Sequence, residues 1–121
     1  MLIVLSPAKT LDFDSELRTR KHSLPALVKE SAKLVKTLIK KSPDDLGQLM
    51  HLSPALADLS AERYLDWEPE FTTENSRPAV LAFKGDVYVG MDVNRYKERD
   101  FTRAQKTLRI LSGLHGVLRP L

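Results

Sequence analysis

Hydrophobic and polar positions along this chain change period several times, and each change predicts an element. Leu2-Ile-Val-Leu5 is a continuous β-prone run stopped at Ser6-Pro7, the pattern of a strand buried on both faces in a parallel or mixed sheet. From Leu24 to Lys41 the period becomes helical. Leu24, Leu27, Val28, Leu34, Val35, Leu38 and Ile39 share one stripe, and Lys29, Lys33, Lys36 and Lys40 cover the other. Ser23 and Pro25 supply the start signal. Ser42-Pro-Asp-Asp45 predicts a second helix, with a hydroxyl cap, proline in the first turn and acids near the positive end. Ser53-Pro54 repeats the device, and Ser60 predicts a further short turn toward Trp67.

The second half of the chain is more mixed. Ala79-Val-Leu-Ala-Phe83 predicts a strand, Lys84-Gly-Asp86 a turn, and Val87-Tyr-Val89 a second short strand or extended segment. Asp100 is placed to cap a helix reaching Ser112, with Phe101, Ala104, Leu108 and Leu111 inward and Arg99, Arg103 and Lys106 outward. Ile110 falls near the basic side and fits that stripe poorly. Gly113 and Gly116 then lead to an apolar restart at Val117-Leu118. The predicted fold is mixed α/β, a small mixed sheet flanked by several short helices and ending in a truncated helix-hairpin-helix-like element. Its second helix would hold only about five residues, too few to stand alone. The ending therefore reads as a fragment, with exposed apolar surface expected around Val117, Leu118 and Leu121.

Composition narrows the function. Of 121 residues, 42% are apolar and 29% charged, as in a soluble globular domain. Lys and Arg number 19 against 16 Asp and Glu, a net charge of +3 that permits a polyanion partner without demanding one. The absence of cysteine excludes disulfides, thiol catalysis and Cys-ligated metal clusters within this span. No apolar run approaches the ~20 residues of a membrane span, and a cytoplasmic location is expected.

Three groups of residues carry candidate chemistry. Ser6, Lys9 and Thr10, just past the first strand, could contact an anion, since ligands sit at strand C-terminal ends in open α/β sheets; they lack phosphate-loop glycines, and a strand-terminating turn explains them as well. Lys84 and Asp86 flank Gly85 and suit either a hairpin turn or a cleft pair. The Gly113–Gly116 stretch could offer backbone N–H groups to phosphate, with Arg103, Lys106, Arg109, His115 and Arg119 around it. A glycine closing the helix explains Gly113 equally. His22, His51 and His115 have no metal-ligand spacing, so neither a metal nor a cofactor is assigned.

Four segments together are more specific than any one: Leu5-Ser-Pro-Ala-Lys-Thr-Leu-Asp12, Trp67-Glu-Pro-Glu-Phe71, Ala82-Phe-Lys-Gly-Asp-Val-Tyr88 and Leu111-Ser-Gly-Leu-His-Gly-Val-Leu-Arg-Pro-Leu121. In this order and at these distances the chain resembles the N-terminal half of the bacterial peroxide-stress protein YaaA family. Residues 1–121 would then be the N-terminal part of one such domain, with the C-terminal half as its missing partner. The resemblance implies a cytoplasmic protein of the hydrogen peroxide response, associated with limiting unincorporated iron and the damage it drives. It also implies binding of double-stranded DNA through a positively charged cleft and a helix-hairpin-helix-like element, placed here at Arg103–Leu121. Contact with backbone phosphates would be largely independent of sequence. An enzyme acting on a phosphorylated or nucleic-acid substrate through Lys9, Lys84 and Asp86 ranks second. An iron- or protein-binding regulator without DNA contact ranks third.

Overall fold

In the computed structural model, which describes residues 1–121, six helices alternate irregularly with five short strands. Chain order is β1 (Ile3–Leu5), β2 (Thr10–Leu11), α1 (Val28–Leu38), α2 (Pro43–Met50), α3 (Pro54–Asp66), α4 (Ala79–Ala82), β3 (Phe83–Lys84), α5 (Asp86–Met91), a 3-10 turn at Val93–Arg95, α6 (Glu98–Thr107), β4 (Leu108–Ser112) and β5 (Gly116–Leu118). Two units form: Met1–Ala26 with Phe71–Leu121, and Leu27–Glu70. The mixed α/β class expected from the sequence is the class observed. No helix is long and apolar enough to cross a membrane.

The first unit is built on a three-stranded sheet in the order β1-β4-β5. β1 lies parallel to β4, with Ile3 opposite Leu108 and Leu5 opposite Ile110. β5 returns antiparallel, with Ile110 opposite Leu118 and Ser112 opposite Gly116. Alternation puts Leu108, Ile110 and Leu118 on one face, where Ile110 and Leu118 join Phe101 of α6, Val80 and Leu81 of α4, Tyr88 and Leu121 in one core. Phe101 and Ile110 have no exposed surface, and the Phe101 ring tilts against Tyr96 with centroids 5.4 Å apart.

Several expectations are corrected here. The helix expected to reach Ser112 stops at Thr107, because from Leu108 the burial alternates in steps of two and Ile110 is needed in the sheet core. It also starts earlier than expected, at Glu98; Asp100 sits inside the first turn and accepts the Lys97 N–H at 2.8 Å. The Gly113–Gly116 stretch is therefore no helix-hairpin-helix element. It is the loop of a β-hairpin, in which Gly116 adopts φ 72° and Ser112 Oγ accepts the His115 N–H at 3.0 Å. Val117-Leu118 continues as strand. Leu118, Pro120 and Leu121 are buried by the unit itself, and only Val117 of the expected apolar surface is exposed.

Two predicted strands are helical turns. Ala79–Ala82 coils because the Pro78 carbonyl accepts both Leu81 and Ala82 N–H groups, leaving only Phe83–Lys84 extended. Asp86–Met91 is helical despite Val87 and Val89, because this turn carries Tyr88 inward, where its hydroxyl donates to Ser6 O at 2.6 Å. Tertiary contact outweighs β-propensity in both places. Ser23 does not cap a helix. Its N–H donates to Leu121 O and its hydroxyl accepts from Gln105 Nε2 at 3.0 Å, while Gln105 Oε1 accepts the Leu121 N–H at 2.8 Å.

The second unit is three helices. α1 covers only Val28–Leu38 of the expected range. α2 begins in the reciprocal cap expected of Ser42 and Asp45: the Ser42 hydroxyl accepts the Asp45 N–H at 3.1 Å, and the Asp45 carboxylate accepts the Ser42 N–H at 3.3 Å. α3 opens at Ser53-Pro54 and runs without a break through Ser60, so the extra turn predicted there is absent. A Cβ at Gly47 would stand 3.5 Å from Ala57 Cβ, which shows how closely α2 and α3 approach beside buried Leu46.

Phe101→Ala removes a fully enclosed ring and is expected to cost about 3–5 kcal/mol, whereas Ser42→Ala, losing a cap, costs about 1 kcal/mol. Urea unfolding midpoints of the two variants, read against the parent chain, check the ranking.

Candidate functional site

The second, two-stranded sheet assembles most of the predicted anion-contacting residues. β2 pairs antiparallel with β3, with Thr10 opposite Lys84 and Leu11 opposite Phe83, and the Asp12 N–H extends the pairing to Ala82 O at 2.7 Å. Lys9 and Thr10 are thus carried beside Lys84, Gly85 and Asp86 by strand pairing. Gly85 lies close to Ala8: a Cβ on it would stand in van der Waals contact, 3.5 Å from Ala8 Cβ. Lys9, Thr10, Lys84 and Asp86 are all exposed. Ser6 is exposed, and its carbonyl accepts the Tyr88 hydroxyl. Tyr88 stacks on Phe83 with centroids 5.6 Å apart, and burial pushes its phenol pKa up, so it stays neutral and keeps its proton for Ser6 O.

Behind this ribbon lies a pair that sequence reasoning missed. Asp12 accepts the N–H groups of Asp14 and Ser15, each at 3.0 Å, and the Ser15 hydroxyl. Arg77 Nη1 lies 3.8 Å from Asp12 Oδ1, and its side chain is 5% exposed. Arg77 Nη2 donates to Ser15 O at 2.9 Å, while its buried Nε finds no acceptor. The Ser15 hydroxyl, the two backbone N–H groups and the Arg77 charge hold the Asp12 carboxyl well below the usual carboxylate range. The legible signal was Asp12 followed by Ser15, the spacing of a side-chain-to-backbone turn. Nothing local marked Arg77 as its partner.

The residues expected around the glycine stretch divide by what they already hold. Arg103 and Lys106 project from α6 and are exposed; so are Arg119 and Gly113, and a Cβ at Gly113 would meet nothing within 4 Å. Arg109 is half-buried, with Nη1 donating to Gln105 O at 3.2 Å and Leu108 O at 2.7 Å. It caps the C-terminal carbonyls of α6, where a cation is favoured. His115 is half-buried against Phe71, ring centroids 5.7 Å apart. Burial lowers its pKa below 6.5, so it brings no positive charge at neutral pH. No group of three or more His, Asp or Glu side chains is arranged to hold a metal ion.

The family model described as peroxide stress protein YaaA matches residues 1–121, the full span of the ribbon, the Asp12–Arg77 pair and the β-hairpin. The chain belongs to this family. Among curated relatives, a UPF0246 protein of Ralstonia pickettii is 59% identical over all 121 residues, and one of Ralstonia nicotianae is 57% identical. In each case the match covers 100% of this chain and 47% of the relative, so the chain spans about half the length of these YaaA-family relatives. Membership in the peroxide stress family supports a role in the oxidative-stress response.

The Asp12 carboxyl yields a prediction with a definite sign. Its folded-state pKa lies below the ordinary 3.8, so its contribution to stability is complete above 3.8 and is lost as pH falls through the folded-state value. Asp12→Asn removes that dependence. The acid limb of a stability-versus-pH curve below 3.8 should be shallower for the variant than for the parent, measured by chemical denaturation at each pH.

Proposed function

We propose that this YaaA-family chain supplies a phosphate-contacting surface for double-stranded DNA, bound largely without sequence specificity. On this reading the protein serves the peroxide response by helping to limit iron-driven oxidative damage. The observation that carries the proposal is the outer side of α6. Arg99, Arg103 and Lys106 recur at helical spacing, are exposed, and take part in none of the ion pairs of the chain. Unpaired guanidinium and ammonium groups on one helix face can replace the counterions of a phosphate backbone, and the released ions supply the affinity. Such contacts read no base edges. Arg119 and the open backbone at Gly113 extend the exposed basic set, whereas Arg109, His115 and Gly116 serve the fold.

A second reading rests on the β2–β3 ribbon. Because it gathers Lys9, Thr10, Lys84 and Asp86, it suits an enzyme acting on a phosphorylated or nucleic-acid substrate, with lysines holding phosphate and Asp86 as a proton acceptor. Product analysis after incubation of full-length protein with DNA and nucleotides separates the two readings, since binding alone leaves every substrate intact.

Replacing Arg103 or Lys106 by Ala in the full-length protein should weaken duplex binding equally across unrelated sequences. Each substitution should also reduce the slope of log K against log salt by about one unit. Titrations at several salt concentrations provide the measurement. Slopes and affinities unchanged in folded Arg103→Ala and Lys106→Ala variants would remove α6 from the interface.

A further inference from the structure

The outer face of the β1-β4-β5 sheet is apolar and uncovered, although its sequence and topology are those of a covered sheet. Leu108, Ile110 and Leu118 point to the core, so alternation sends Val4, Leu111 and Val117 the other way. Val4 is 58% exposed, Leu111 44% and Val117 52%, and Leu2, just ahead of β1, is 60% exposed. Arg109 lies among them but turns its guanidinium back onto the Gln105 and Leu108 carbonyls, so it does not make this face polar. β1 is also one of the sheet's two edge strands, yet Leu2-Ile-Val-Leu5 has the composition of a strand buried on both faces. All-parallel sheets have both faces covered almost without exception, and the β1–β4 pair of this mixed sheet is parallel.

From these observations and the relatives' length we infer that the outer face of this sheet is a docking surface for the remainder of the full-length family polypeptide. That remainder packs apolar side chains on Val4, Leu111 and Val117 and places a strand along the free edge of β1. The 121 residues amount to 47% of the R. pickettii relative, so roughly 136 further residues lie outside the matched span, enough for a covering layer. A second copy of this chain is the competing occupant. The inference concerns assembly and holds whichever activity the protein has.

The chain contains no cysteine, so Val117→Cys places a single thiol of this span on the face in question. In the full-length protein, maleimide labelling of that thiol, followed on its own peptide, should be slowed more than about tenfold relative to the denatured protein, as for a group that reacts only when packing opens. In the 121-residue chain the same thiol should react at close to the denatured rate. Val117→Lys should lower the unfolding midpoint of the full-length protein while leaving that of the 121-residue chain unchanged; if it fails to fold, the labelling result stands alone. Rapid labelling in the folded full-length protein overturns the inference. So does slow labelling in the 121-residue chain together with a dimer mass by light scattering, which would assign the face to a second copy.

Discussion

Parallel pairing of Ile3–Leu5 with Leu108–Ile110 is the constraint from which the rest of the first unit follows. Closing so long a loop is costly, but loop-closure entropy grows only with the logarithm of length. It is opposed by burial of Ile110 and Phe101, large side chains with no remaining exposure. Once Leu5 lies against Ile110, the chain must leave β1 at Ser6. The Tyr88 hydroxyl then takes Ser6 O, and Thr10–Leu11 falls beside Phe83–Lys84. The position of Lys9 relative to Lys84 thus follows from the β2–β3 register, in which Thr10 pairs with Lys84.

A second constraint closes the same unit from below. Gln105 receives the Leu121 N–H on its oxygen and donates to the Ser23 hydroxyl, while Ser23 N–H reaches Leu121 O. The Val80 N–H donates to Pro120 O. These bonds pair backbone groups beside buried Leu121 that would otherwise lose water without compensation. Lys21 adds contacts to Thr102 Oγ1 at 2.6 Å and to the Glu98 carbonyl and carboxylate. The irregular polar stretch before α1 is held against α6 by this set of bonds, which no periodicity encodes.

What could be read in the sequence follows from the range of the interactions involved. The Ser42/Asp45 and Ser53 caps are local, and local reading located α2 and the start of α3. The Ser6–Asp12 and Lys84–Asp86 segments meet through antiparallel pairing of Thr10 with Lys84, not as loops at the ends of adjacent strands of one sheet. The failures share one cause. Ala79–Ala82 and Val87–Val89 look like strands to propensity, and Leu108–Ser112 looks like helix when read onward from Phe101, but bonds to the Pro78 carbonyl decide the first and burial of Tyr88 and Ile110 the other two. Ile110 signalled the error by lying on the basic side of the expected helix. The Asp12–Arg77 pair had no such signal, because its two members are brought together only by β2–β3 pairing.

The cations of the first unit show why net charge says little about a site. Arg77 lies against Asp12 and Ser15 O, Arg109 is bonded to carbonyls at the end of α6, and Lys21 is tied to Glu98 and Thr102. These groups keep their charge and contribute to the field around the protein, but that field is screened over a Debye length of about 8 Å at physiological salt. Arg109 already commits Nη1 to two carbonyls, Lys21 would have to give up bonds it makes, and Arg77 is too deeply buried to reach a phosphate. Arg99, Arg103 and Lys106 have no ion pair to break. On binding an anion they would lose only side-chain freedom and hydration, which a charge-assisted bond to phosphate would offset. Which cations are open to an anion is therefore decided by the partners they already hold, and in the first unit Arg99, Arg103, Lys106 and Arg119 are exposed and outside its ion pairs.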